Sequence, residues 1–346
     1  MALILVTLDS CTVSALMHTL WYGAHKEHMP VSTWGVGDSH TVGAHGVLVS
    51  GKPLSEIKED LPPRAGADYK LTESYADGLR VLQSNESVAT HSVCGIPCLA
   101  PIFGWGKVGW DSHVNPKGGT AYACLQALKK LELGDRTFVM LNVGDTHYYY
   151  GGGQDDERIV RSHRYCYHEA HKAPLPENYG WKYWGMQIAK ADSALELLYG
   201  ELLRDHWWVV TADHGEAFPQ FDGGKYGHWG WNDCDSVMTV PWFSNVPELM
   251  GRKFSTTEEF LPWLLDWDWR AYDAKEWQGA AGSQRKKELT PQELPPHIRD
   301  KLFKLEDSEK DSDGGCDTCQ AKKRLTGSEK RKLKRLKKEL QEKSIE

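Results

Sequence analysis

No run of apolar residues in this chain approaches the ~20 needed to cross a bilayer. The opening stretch, Met-Ala-Leu-Ile-Leu-Val-Thr-Leu-Asp9, has no basic leader and no small-residue cleavage site, and its apolar part is too short for a signal peptide. It reads instead as a first core strand, and a cytoplasmic protein is expected. Cysteine is sparse, 8 in 346 residues. The eight are scattered, which excludes a disulfide-stapled scaffold and leaves most of them as buried thiols. Cys316 and Cys319 form a single CxxC in a Gly/Asp-rich stretch. One such pair does not complete a zinc site, and solvated thiols are expected there. Positive charge is not in excess either: a net charge of −7 argues against a protein that coats nucleic acid along its whole surface.

What the chain does have is core. At 40% hydrophobic residues, one large domain with an appendage is expected, with the domain over 1–270 and a polar tail over 271–346. Strands and helices alternate as in an α/β fold, a mostly parallel central sheet with helices on both faces. Ala2–Leu8, Ser87–Val93, Phe138–Val143 and Trp207–Val210 read as strands. Helices are expected over roughly Ser14–Tyr22, over Leu71–Asn85 with Tyr75, Leu79 and Leu82 on one face, over Thr120–Leu131, and over Tyr183–Leu203 with Ile188, Ala191, Leu195, Leu198 and Leu202 at helical spacing. Asp192 on the last of these is expected to make a structural hydrogen bond. Tyr148–Pro176 is a long polar loop rich in Arg and His, either a lid that grips an anion or a solvated insert. Fifteen tryptophans are mostly core. Trp229 and Trp231 belong to the His228 segment, where stacking on a sugar or base is the minority reading. In the tail, Ser328 caps a lysine-rich helix with a thin stripe of Leu333, Leu336 and Leu340. A solvated helix is expected, with contact to nucleic acid, an anionic membrane surface or a protein partner as the sharper alternative.

Three stretches carry chemistry. The run Trp207–Val210 stops at Thr211-Ala212, so Asp213 and His214 fall at the carboxyl end of a buried strand, where open α/β sheets place their ligands. A carboxylate beside an imidazole, then Gly215, offers oxygen and nitrogen to a divalent cation. A helix-capping Asp beside a surface His fits the same letters. Ala2–Leu8 ends likewise in Asp9, placed to share that cation, to cap the next helix, or both. Thr41 opens a helix with Ala44, Val47 and Leu48 facing inward and Gly51-Lys52-Pro53 as its stop. A hydroxyl there lies where amides and the helix dipole favour an anion, and contact with a cation would make it a nucleophile. A plain N-cap is the alternative.

Leu-Val-Thr-Leu-Asp9, Thr41-Val-Gly-Ala-His45 with Ser50-Gly-Lys-Pro53, and Thr211-Ala-Asp213-His214-Gly-Glu216 resemble, in order and spacing, the alkaline phosphatase/sulfatase superfamily. Asp145-Thr-His147-Tyr-Tyr after a strand, and Tyr226-Gly-His228 before Val237-Met-Thr-Val-Pro241, are similar to two further segments of that family. Phe254–Trp267 resembles its closing helix, so the likeness runs from Ala2 to about Arg270. It implies a cation (Zn, Mn or Mg, one or two) held by Asp9, Asp213, His214 and the Thr41 hydroxyl. It also implies a covalent intermediate on Thr41, with His147 and His228 around the substrate oxyanion or leaving group. In some branches the position of His228 ligates a second cation, which Asp145 could join. The chain departs from the formylglycine sulfatases: no C/S-x-P-x-R occurs at Thr41, and Ser10 follows Asp9 where many sulfatases have a second Asp. The expectation is a metal-dependent hydrolase of phosphate mono- or diesters acting on a small anionic ester. A phosphotransferase or mutase on the same site, a sulfatase, and a non-catalytic metal-binding scaffold with a partner-binding tail are the alternatives.

Overall fold

Continuous apolar character, rather than alternation, decides which strands lie at the centre. In the computed structural model, which describes residues 1–27, 29–61, 69–96, 105, 108–147, 179–228, 233–250 and 252–269, β1 (Leu3–Leu8) is buried at every position. The chain continues through α1 (Val13–Met17), α2 (Leu20–His25), β2 (Ser32–Gly35), α3 (Thr41–Ser50), α4 (Leu54–Ile57), β3 (Lys58–Asp60) and β4 (Tyr69–Leu71). Next come α5 (Asp77–Glu86), β5 (Ala89–Cys94), β6 (Ser112–Val114), α6 (Ala121–Leu128) and β7 (Thr137–Val143). The last described elements are α7 (Tyr179–Glu201), β8 (Trp207–Thr211), α8 (Asp235–Met238), β9 (Thr239–Ser244) and α9 (Phe260–Asp266).

Seven strands form one sheet in the order β2-β9-β8-β1-β7-β5-β6, and β3 and β4 form a separate pair. β1 lies between β7 and β8, parallel to both, and β5 and β6 extend the parallel part. β9 alone runs against the rest, antiparallel to β8 and β2. One layer packs α1, α2 and α6 against α7, and another packs α3 with α4, α5 and α9. This is the α/β architecture expected from the alternation of apolar runs. The loops after β1, β7 and β8 consequently meet at one edge of the sheet.

Two helices differ from the expectation. Ser14–Tyr22 is broken in two because Thr12 and Thr19 each cap a short helix, their hydroxyls accepting from Ala15 N and Tyr22 N. Leu71–Asn85 begins as a strand: Leu71 pairs with Lys58, a 3₁₀ turn covers Glu73–Ala76, and the helix starts only at Asp77. Asp192 makes its structural bond, accepting from the Trp21 amide at 2.7 Å. The Tyr148–Pro176 loop, Trp229, Trp231 and the tail over 271–346 with Cys316 and Cys319 lie outside the described residues.

Candidate metal centre and nucleophile

α3 is buried along its whole length. Such a helix needs small residues where neighbours come close. A Cβ on Gly43 would run into the Asp38 carboxylate and the Tyr69 hydroxyl, which are themselves hydrogen-bonded. The helix ends at Gly51 in the left-handed conformation, φ 63°, its amide donating to Val47 O. Its start is anchored by His45, whose Nδ1 donates to the Thr41 carbonyl at 2.6 Å while Nε2 lies 2.9 Å from Thr7 Oγ1 on β1. The N-cap position is His40, which makes no capping bond through its side chain. The Thr41 hydroxyl is therefore not spent on capping its own helix. It points at His214, with Oγ1 to Nε2 3.1 Å.

His214 Nδ1 lies 2.9 Å from the Gly215 carbonyl and donates to it, which leaves Nε2 as the nitrogen that faces Thr41 and that offers a lone pair in the neutral ring. Around Nε2 gather the carboxylates that end β1 and follow β8: ligand atoms of Asp9, Asp213 and His214 all lie within 4.8 Å of one another. All three residues are buried. Gly215 is needed here, because a Cβ would meet the Ser236 carbonyl.

Asp9 is tethered through both carboxylate oxygens and Asp213 through one. Ser10 Oγ donates to Asp9 Oδ1 at 3.1 Å and Asn142 Nδ2 to Asp9 Oδ2 at 3.2 Å. Ser10 N donates to Asp213 Oδ1 at 3.0 Å, while Asp213 Oδ2 is buried without a hydrogen-bond partner. Burial and the neighbouring Asp213 charge push the Asp9 carboxyl well above the usual range, and Asn142 and Ser10 only partly oppose this. Burial also works against ionising Asp213, but the His214 and His45 imidazoles and the Ser10 and His214 amides outweigh it and hold that carboxyl low. Two adjacent buried acids, one with an orphaned oxygen 3.4 Å from His214 Nε2, fit a divalent cation, which would let both ionise. The site can hold such an ion.

Three imidazoles line up beside it. The His214 and His228 rings are 4.3 Å apart, His228 and His147 5.3 Å, and His147 Nε2 is 3.9 Å from Asp9 Oδ1. His228 is tied through Nδ1 to Glu216 Oε2 at 2.9 Å. Burial pushes the Glu216 carboxyl well up, and the Asp213 charge adds to this. Asp145 is not with this group: its Oδ2 accepts from the Ala121 amide at the start of α6. The second cation expected to involve Asp145 therefore has no support from that residue. Cys11 is a core thiol that burial pushes up to about 12, and it is not in the cluster.

Four supporting residues were not assigned this work from sequence: Ser10, Asn142, Gln187 and Glu216. Asn142 sits inside an apolar run, yet every interior position of β7 is buried, and a lone amide there is a signal that it bonds something polar. Gln187 bonds Ser10 O and Thr146 O through Nε2, and nothing in its helical spacing marks it out.

No family profile and no curated protein matches this sequence. Solved structures do. The C-terminal periplasmic domain of phosphoethanolamine transferase EptC from Campylobacter jejuni aligns at 14% identity over 77% of this chain and 88% of that one, TM-score 0.52. The corresponding domain from Escherichia coli, in complex with Zn, aligns at 11% identity over 77% and 81%, TM-score 0.51. The 2-O GAG sulfatase BT1596 aligns at 14% identity over 77% and 70%, TM-score 0.51. At these identities the likeness is one of fold. The cytoplasmic placement expected above is overturned by the two periplasmic neighbours. Among the described residues no helix is long and apolar enough to cross a membrane, but the core of such a fold looks the same on either side of one, so its apolar pattern does not report the compartment.

Proposed function

We propose, for a chain whose fold is that of the alkaline phosphatase/sulfatase superfamily, that it is a metal-dependent transferase that moves a phosphoryl group, plain or esterified, through Thr41 to an acceptor hydroxyl. The observation that carries this is the Thr41 hydroxyl, 3.1 Å from His214 Nε2 and turned into the buried Asp9–Asp213–His214 cluster rather than back onto its helix. Asp9, Asp213, His214 and Thr41 Oγ1 are the residues that would hold the ion. When bound, a divalent cation supplies positive charge that makes the threonine hydroxyl more acidic and the phosphorus more electrophilic.

The rest of the work falls to the protein. The first-turn amides of α3 have no carbonyl partners within the helix, and a helix N-terminus favours an anion. His45 fixes the backbone that carries the nucleophile by bonding the Thr41 carbonyl. His228, oriented by Glu216, and His147 would donate to the substrate oxyanion or the leaving oxygen. Once Thr41 carries the group, an alcohol or water takes it off again. Transfer is favoured over plain hydrolysis because two of the structural neighbours are phosphoethanolamine transferases. A threonine outside any C/S-x-P-x-R context disfavours a sulfatase.

The test is a phosphodiester with a p-nitrophenyl leaving group, offered with and without a soluble alcohol. The expected outcome is nitrophenol release together with alcohol-bound product and a mass increment on the peptide containing Thr41. Thr41→Ala and Asp213→Ala are expected to lose turnover and increment while remaining folded. Unchanged turnover in both variants would remove the mechanism.

A further inference from the structure

Ser10 has an unusual backbone for a residue with a side chain. Its φ is 61°, in the left-handed region, which residues bearing a Cβ rarely occupy and which marks strain held in place by its surroundings. The bend directly follows Asp9 and turns two donors of a single residue onto two different acids. The amide reaches Asp213 Oδ1 at 3.0 Å, and the hydroxyl reaches Asp9 Oδ1 at 3.1 Å. An extended Ser10 would aim its amide elsewhere. The carbonyl of Ser10 is held in turn by Gln187 Nε2 at 2.9 Å, and Gln187 Oε1 accepts from Thr12 N and Thr12 Oγ1 at 3.2 and 3.0 Å. Ser10 is completely enclosed, so water cannot take over these bonds.

We propose that Ser10 is a positioning residue, holding the Asp9 and Asp213 carboxylates at cation-binding separation before an ion arrives. This rests on the metal-site reading above. Without these donors neither carboxyl group would be fixed in direction, and the site would have to be rebuilt each time an ion entered. With one oxygen of each acid tied to the same residue, Asp213 Oδ2 remains directed into the cluster, 3.4 Å from His214 Nε2. Residues that orient ligands in this way are worth about 10–100-fold in metal affinity.

The experiment compares full-length wild type, Ser10→Gly and Ser10→Ala. Affinities for Zn²⁺, Mn²⁺ and Mg²⁺ are measured by competition with a chromophoric chelator, and melting midpoints are measured in excess chelator. Glycine accepts the positive φ and keeps the amide, but lacks the hydroxyl. Ser10→Gly is expected to bind the preferred ion at least about 10-fold more weakly while melting, without metal, at or above the wild-type midpoint. Ser10→Ala keeps the strained Cβ, so it is expected to bind as weakly and to melt below the glycine variant. Wild-type affinity in Ser10→Gly overturns the role of Ser10 alone. Weaker binding together with a metal-free midpoint below wild type in both variants makes Ser10 a fold residue and also overturns it. A wild-type protein that binds none of the three ions overturns the cation site itself, and this role with it.

Discussion

Replacing Asp9 by asparagine separates what the buried acids cost the fold from what they do for the ion. Asp9 and Asp213 are both enclosed, and Asp9 holds its proton more tightly folded than unfolded because of burial and the Asp213 charge. The stability this proton contributes is complete below the ordinary carboxyl value of 3.8 and is lost as pH rises through the raised folded value. Metal-free wild type is therefore expected to weaken as pH climbs from about 4, and Asp9→Asn to weaken less, since the amide carries no proton to lose. At pH 8 in chelator the variant should be as stable as wild type, or more so. A divalent cation reverses the order. An ion at 100 times its dissociation constant stabilises a native state by about 2.7 kcal/mol, which for a domain of ~150–250 residues corresponds to a shift of ~5–11 °C in midpoint. Wild type should show a rise of that order and Asp9→Asn only a fraction of it. Thermal melts and urea titrations at pH 5 and pH 8, with chelator and with zinc, measure all four states. A metal-free variant clearly weaker than wild type at pH 8, yet gaining the full zinc increment, would refute the paired-acid reasoning.

Two further outcomes follow from contacts around the cluster and α3. Glu216→Ala leaves the buried Nδ1 of His228 without its partner, which should cost about 1–3 kcal/mol in urea titrations and slow turnover, whereas Glu216→Gln keeps a hydrogen-bonding group and should recover most of the stability; an alanine variant as stable and active as wild type would show that the pairing is idle. Gly43→Ala drives a methyl group into Asp38 and Tyr69, and should destabilise by about 1–3 kcal/mol; an unchanged denaturation midpoint would show that the Asp38–Tyr69 contact yields freely.

The parts of this molecule legible from sequence are those where a single residue type and a strand end coincide. β1, β7 and β8 are buried throughout and mostly apolar because both faces of the sheet are covered, and Asp9 and Asp213 announce themselves by ending such runs. Thr41 was legible only as a hydroxyl at a helix start. That it bonds His214 rather than its own helix depends on a residue 173 positions away. Ser10 could be noted as a departure from a second acid, but its φ is a property of the fold around it. β6 and the β3–β4 pair escaped because three-residue strands carry no period. Asp145 misled for the same reason that Asp9 did not: at a strand's end an acid can serve an ion or a helix, and the neighbouring α6 takes this one.

A hydroxyl mounted on a helix without any solvent-facing side has little freedom to wander. α3 is tied to β1 through His45 and Thr7 and packs against β4 and the capping end of α9, so a change that shifts Thr41 also disturbs the interior. On the proposed function, adaptation to a different donor or acceptor would have to be written into the sheet's loops, leaving the Thr41 oxygen where it stands.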